Sequence, residues 1–460
     1  MRHNGAMKSL LLGAAALIGA AAFAAPAQAK SETGGPVLLI SIDGLRPGDV
    51  LEAEKRGLKL PNLTRFVKEG VSATGVVGVL PTLTYPSHTT LITGVAPAAH
   101  GIVNNQTFDP TQINQSGWFW YAEDEKARTL WDAAHDAGLS TGNVHWPVSV
   151  GAHNLTWNVP QIWRTGHADD AKLIRALATP GLVQALEHDC GGPYADGIDE
   201  SLPGDQNRAK FAVKLIEAHR PDFVTVYLAA LDHQEHATGP GSAEANRTLE
   251  AIDALVGDMV AAEAKAHPDA LVSVVSDHGF APVDTVVNLY RAFIDAGLVT
   301  LDDKGRIKAW DAVPWASGGS FAIMLARPDD AALKDKVGAL LARLQADPAA
   351  RFAEVIGKDA IAKAGANPQA TFYVNLKLGA VAAPFITADT PLTIPSPSKG
   401  MHGYFPAAPE MRSTFLAMGP GVAKGRNLGE IDMRAIAPTL ARAMGGTLPD
   451  AQVQALDLAK

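Results

Sequence analysis

One threonine, three aspartates and three histidines could do chemistry together in this chain, although they are spread between positions 43 and 402. The threonine is Thr84, within PTLTYPSHTTLITG. Pro86 suits the first turn of a helix, where its missing N–H costs nothing, and Gly94 can close that helix. Thr84 should then sit just before a helix N-terminus, whose unpaired N–H groups and dipole favour an anion such as phosphate. Taken alone, such a residue reads as an N-cap. With a lowered pKa it becomes a nucleophile. The acids and imidazoles supply the means. Asp43 follows the run VLLISI, Asp232 and His236 form a D-x-x-x-H after FVTVYL, and Asp277-His278 come after LVSVV. His402 stands in GMHGYF, beyond a long intervening segment. Ligands of open α/β sheets bind outside the carboxyl ends of the strands, so residues distant in sequence can converge there. Three carboxylates, three imidazoles and the Thr84 oxygen make a donor set large enough for two metal ions. Its histidine content favours zinc over magnesium. Two metals about 4 Å apart can stabilise the attacking and leaving oxygens of an in-line displacement, and one of them could lower the pKa of Thr84.

The elements that must position these groups alternate along the chain. Val37–Ile42 is an apolar run of strand length, suited to a parallel strand buried on both faces. Helical patterns cover Leu60–Val67, Lys126–Ala137, Gln206–His219 and Ala243–Ala264, with strands predicted at Thr141–His145, Phe223–Leu228, Leu271–Val275 and Thr414–Met418. That alternation predicts an α/β fold around a mainly parallel sheet. Two stretches are less regular. Residues 146–204 read as long loops over the sheet with one helix near Ala171–Ala178. Residues 281–400 contain a helix around Asp329–Gln345, end in a segment rich in Pro, Ser and Thr, and read either as an inserted cap or as a continuation of the main fold.

Composition bounds the partners. Residues 1–29 have a basic start (Arg2, Lys8), an apolar run and Ala27-Gln28-Ala29 before Lys30, the pattern of an export signal. We therefore expect a periplasmic or secreted protein formed by residues 30–460, and no later stretch reads as transmembrane. Cys190 is the single cysteine, so no intramolecular disulfide can form. The formal charge is −9, and losing Arg2 and Lys8 makes it two units more negative. That argues against a nucleic-acid-binding surface and for an anionic substrate drawn in locally, by cations.

In order, ISIDGLRP, PTLTYPSHTTLITG, HGIVNN, LDHQEHATGP, VSDHGF and GMHGYF resemble the motifs of the nucleotide pyrophosphatase/phosphodiesterase branch of the alkaline phosphatase superfamily. The resemblance implies an α/β/α sandwich and two zinc ions per chain. It makes Thr84 the nucleophile, with Asp43, Asp277 and His278 around the metal that activates it. Asp232, His236 and His402 would hold the second metal. Asn105 would donate its amide to a phosphoryl oxygen, a role for which the adjacent Asn104 is the rival. The chain departs from the family pattern in reading Thr84-Tyr85-Pro86-Ser87-His88 and in lacking a glycine before His236, which bears on the leaving-group pocket. Tyr85 is the aromatic expected to face substrate. The implied activity is hydrolysis of a small phosphodiester or nucleotide through a phosphothreonine intermediate. A phosphate monoesterase on the same site and a non-catalytic binding protein are the alternatives. Related monoesterases carry a Lys-x-Arg pair downstream of the asparagine, whereas residues 144–164 here hold no lysine and only Arg164.

Overall fold

The computed structural model describes residues 34–113, 117–162, 166–384 and 389–459. The export signal read in residues 1–29, and Arg164, lie outside them. An eight-stranded sheet runs through the molecule. Its strands are β1 (Val37–Ile42), β2 (Val71–Ser72), β3 (Thr141–Val144), β4 (Trp157–Val159), β5 (Phe223–Leu228), β6 (Leu271–Val275), β7 (Phe415–Met418) and β8 (Arg426–Asn427). They lie in the order β8-β2-β7-β6-β1-β5-β3-β4. The block β6-β1-β5-β3-β4 is parallel throughout, and β7 runs antiparallel to both β6 and β2.

The apolar run of β1 explains its central place. Every residue of β1 is buried. Leu38, Ile40 and Ile42 face one hydrophobic cluster, while Val37 and Leu39 face another, as the two-residue period of a strand dictates. The chain covers both faces with helices: α1 (Thr84–Thr93), α2 (Leu202–His219), α3 (Ala230–Thr238), α4 (Ala243–Ala266) and α5 (Ile436–Ala443). Leu215 of α2 and Ile252 of α4 pack in the first cluster, and Leu91 of α1 and Leu440 of α5 in the second. The result is a three-layer α/β/α arrangement, as expected for strands linked by helical crossovers.

The irregular stretches hold more structure than their sequence suggests. Residues 146–204 contain β4 and two helices, Asp170–Leu177 and Leu182–Cys190, where one helix was expected. None of the described strands between positions 281 and 401 joins the main sheet. Four of them, Ala312–Ser317, Ser320–Leu325, Phe372–Leu376 and Phe352–Gly357, form an antiparallel sheet in that order. With the helix Ala331–Ala346 this sheet builds its own core, including Phe321, Val337 and Tyr373. One turn of this unit reaches the rest of the molecule closely. Gly319 N–H donates to the His402 carbonyl at 2.7 Å. Gly318 has φ +65°, and a Cβ there would lie 2.3 Å from the His402 oxygen, so only glycine fits.

Candidate active site

The parallel register of β1 and β6 aligns Ser41 with Val275, and so brings Asp43 and Asp277, just past the two strand ends, side by side. His278 follows directly, with Nε2 3.3 Å from Asp43 Oδ1 and 3.1 Å from Asp277 Oδ2. These three donors are one buried group that could hold a metal ion. Asp232, His236 and His402 are the second. Asp232 and His236 lie inside α3 rather than in a loop, and their i, i+4 spacing puts both on one face. His236 Nε2 is 3.3 Å from Asp232 Oδ2, and His402 Nε2 is 3.6 Å from Asp232 Oδ1. The rings of His278 and His402 stack at 3.5 Å, so the two half-sites share a wall.

Each imidazole is oriented from behind. His236 Nδ1 bonds the Gly400 carbonyl at 3.0 Å, His278 Nδ1 the Gly279 carbonyl at 3.2 Å, and His402 Nδ1 the Thr82 carbonyl at 3.0 Å. A carbonyl only accepts, so Nδ1 carries the proton and the Nε2 lone pair faces the site. Four buried atoms there have no hydrogen-bond partner: Asp43 Oδ1, Asp232 Oδ1, Asp277 Oδ2 and His278 Nε2. Orphaned buried acceptors are rare and costly, and this oxygen and nitrogen set is what a divalent cation satisfies. The residues fit the group.

The electrostatics agree. Burial pushes Asp43 well above the carboxylate range, and the charges of Asp277 and Asp232 add to it, against a hydrogen bond from the Tyr227 hydroxyl. Burial likewise lifts Asp277 to about 7. His278 is driven well below its ordinary value, first by burial and then by His402. His236 goes the other way, to about 9: burial pulls it down, but the charge and hydrogen bond of Asp232 together with the Gly400 carbonyl raise it by more. Without cations these acids crowd one another.

Thr84 is the first residue of α1, one position further in than the cap expected from sequence, and Leu83 is the N-cap. It is nearly buried, 6% exposed. Its carbonyl accepts from His88 Nδ1 at 2.8 Å, and His88 Nε2 accepts from Ser41 Oγ at 2.8 Å. Thr82 is held by His402 on the other side, so the Thr82–Thr84 segment spans from one half-site to the other.

The two asparagines are committed differently. Asn104 donates its amide to the Ala316 carbonyl and Ser317 Oγ, each at 3.1 Å, in the 281–400 unit. Asn105 Oδ1 accepts from Tyr85 N–H at 2.9 Å, which leaves its NH2 end for a ligand. A cavity of about 430 Å³ opens beside it, bounded by His236, His402 and Trp118. Tyr85, the aromatic expected there, is a correction. Its ring is fully buried, its hydroxyl donates to Gln161, and Trp118 packs over it at 5.5 Å. Trp118 lines the cavity instead.

A model of the type I phosphodiesterase/nucleotide pyrophosphatase family matches residues 37–386. The chain belongs to that family. The matched stretch takes in Asp43, Thr84, Asn105, Asp232, His236, Asp277 and His278, and stops before His402. An uncharacterized pyrophosphatase/phosphodiesterase of Schizosaccharomyces pombe is 29% identical over 253 residues, 54% of this chain and 45% of that protein. Human ectonucleotide pyrophosphatase/phosphodiesterase family member 1 is 29% identical over 255 residues, 53% of this chain and 23% of its own length. The chain thus aligns with less than half the length of these relatives. Among solved structures, murine ectonucleotide pyrophosphatase/phosphodiesterase 5 superposes with a TM-score of 0.64 at 20% identity, covering 90% of this chain and 95% of that one. An inactive form of the same murine protein, in complex with AMP, gives 0.63 at 20% identity over 90% and 96% of the two chains. At that identity the likeness speaks for the fold. Among the described residues no helix is long and apolar enough to cross a membrane.

Supporting residues escaped the sequence reading. Asp205 and Arg208 are fully buried on α2, and Asp205 accepts from Arg208 Nε at 3.0 Å. The same carboxylate accepts from Ala229 and Ala230 N–H, each at 2.9 Å, and so pins the start of α3, which carries Asp232 and His236. Tyr227, on β5, donates to Asp43. An Asp and Arg three apart on a helix are the only local signal of the first pair, and it is a common one.

Proposed function

We propose that this chain is a zinc-dependent phosphodiesterase/nucleotide pyrophosphatase that works through a phosphothreonine intermediate on Thr84. The observation that carries the reading is the pair of three-residue donor groups, with four orphaned donor atoms turned inward beside Thr84's helix start. What zinc ions bound by Asp43, Asp277 and His278 and by Asp232, His236 and His402 would supply is Lewis acidity toward the hydroxyl and the phosphoryl oxygens. The remaining steps belong to the chain's own groups. Thr84 Oγ loses its proton and attacks phosphorus, the bond to the leaving oxygen breaks, and that oxygen departs with the electron pair and is protonated. The Asn105 amide donates to a non-bridging oxygen as charge develops. Water then displaces Thr84 from phosphorus and restores the free hydroxyl. The AMP held by the structurally similar murine protein supports a nucleotide as one substrate class. The basic and apolar start of the chain supports action outside the cytoplasm.

Thr84→Ala tests the intermediate: turnover should vanish while bound metal and fold persist, and Thr84→Ser should retain measurable activity. A diester should also be preferred over a monoester. A monoester dianion asks for additional cationic donors, and residues 144–164 carry no Lys-x-Arg pair. Each absent charge-assisted hydrogen bond is worth about 1.5–3 kcal/mol, so kcat/KM for a nitrophenyl nucleotide diester should exceed that for nitrophenyl phosphate by about a hundred-fold or more. Near-native turnover by metal-loaded Thr84→Ala would end the nucleophile assignment. Equal rates on the two substrates would shift the reading to a monoesterase.

A further inference from the structure

The cavity beside the second half-site constrains the leaving group. The Thr84 backbone carbonyl accepts from His88 Nδ1, which lies 3.6 Å from Asp277 Oδ2, so Thr84 sits beside the first half-site and, as the nucleophile proposed above, attacks from that side. An in-line displacement expels the leaving group away from the nucleophile, toward the second half-site. The cavity opens there, against His236 and His402. Its walls are largely apolar. Val286, Val381, Ala382, Pro384 and Met401 come from the unit inserted between His278 and His402, and Trp118 faces them. The first three are held in place by parallel pairing of Thr285–Val287 with Ala380–Ala382, which sets Val286 opposite Val381. Ser317, Ser396 and Ser398 contribute uncharged hydroxyls and Asn104, Asn105 and Gln106 neutral amides, and no lysine or arginine is among the described residues that line the cavity. Lys399, the nearest in sequence, is exposed and outside that lining.

We infer that this cavity receives an uncharged, apolar alcohol as leaving group, so that phosphate diesters of carbon alcohols are preferred over nucleoside triphosphates. This rests on the phosphodiesterase reading above. A triphosphate cleaved at its first phosphorus releases pyrophosphate, whose several charges need cations, and the largely apolar wall carries no lysine or arginine to supply them. An alcohol develops charge only at its bridging oxygen, next to His236 and His402, and buries its carbon skeleton against the valines, Pro384 and Met401. Area removed from water then adds to transition-state binding.

The test uses the full metal-loaded chain and substrates that all release thymidine 5′-monophosphate. Thymidine 5′-phosphate esters of 4-methylphenol and 4-butylphenol have leaving groups of matched acidity and differ only in apolar surface. The butyl ester should have a kcat/KM at least about tenfold higher, which is less than the full value of three buried methylenes. Thymidine 5′-triphosphate should be at least about tenfold poorer than the butyl ester, and Val286→Lys should narrow that gap by a comparable factor. Esters turned over without an alkyl effect, or a triphosphate as good as the butyl ester, would overturn the cavity assignment alone, whether or not Val286→Lys folds. Failure to turn over any of the three would remove the phosphodiesterase reading and this inference with it.

Discussion

Replacing Asn105 isolates one transition-state contact. Its Oδ1 is fixed by Tyr85 N–H at 2.9 Å, so the NH2 end is presented without a search over rotamers. If that end donates to a phosphoryl oxygen as charge grows, Asn105→Ala removes one preorganised donor from a partly desolvated site. Losses of that kind cost about 2.7–4 kcal/mol, or about 10²–10³ in kcat. KM should change little, because the contact strengthens in the transition state rather than in the ground state. Alanine also strips the acceptor from Tyr85 N–H, so a second variant is needed. Asn105→Asp keeps that acceptor and turns the donor into an anion facing the phosphoryl group. It should therefore fall at least as far as Asn105→Ala, with helix content and metal stoichiometry intact. Asn104→Ala is the control. It loses bonds to Ala316 and Ser317 and the one its Oδ1 accepts from Asn105 N–H at 2.7 Å, so it should lower the unfolding midpoint by the equivalent of about 1–3 kcal/mol and disturb kcat less than Asn105→Ala. The assay is steady-state hydrolysis of a nitrophenyl nucleotide diester at saturating zinc. An Asn105→Ala enzyme within about fivefold of the parent, or an aspartate variant more active than the alanine one, would refute the reasoning.

Three further outcomes follow from the same geometry. Metal affinity should rise with pH, because a cation needs Asp277 ionised and His236 Nε2 free. Without metal these groups sit at about 7 and about 9, so binding releases protons, and affinity should climb between about pH 6 and 9. His402→Ala should lower zinc stoichiometry or affinity at every pH, and calorimetric titration of chelated protein reads both effects; a pH-independent affinity would contradict them. Asp205→Asn should be costly although it is isosteric, since it takes the Asp205 charge away from the fully buried Arg208 guanidinium. Breaking such a pair costs about 3–5 kcal/mol, visible as a lowered denaturation midpoint with weakened metal binding at α3. A shift below about 1 kcal/mol would show that the pair does not hold the helix.

Which features were legible from the sequence has a physical pattern. VLLISI, FVTVYL and LVSVV read as buried parallel strands because a strand covered on both faces must be apolar throughout, and the structure places them at β1, β5 and β6. The donor groups at their ends were legible for the same reason, since acids and imidazoles stand out against such runs. The helix read near Ala171–Ala178 is present at Asp170–Leu177, but the one that follows it, Leu182–Cys190, was harder to see. It is short and set off by Thr179, Pro180 and Gly181, so loop composition masks its periodicity.

The groups that hold the site together leave almost no local trace. Tyr227 donates across 184 positions to Asp43, Thr82 accepts from His402 across 320, and Asn104 reaches Ser317 across 213. Such pairs are made by strand order and by the turn of the 281–400 unit against His402, neither of which a window of sequence contains. Tyr85 shows the same limit from the opposite direction. An aromatic beside Thr84 has the right neighbour for substrate contact, yet it lies in the first turn of α1 with its hydroxyl on Gln161, fully buried. Donor atoms are recognisable by type and spacing because chemistry restricts them to a few side chains. Orientation comes from packing, and packing must be seen.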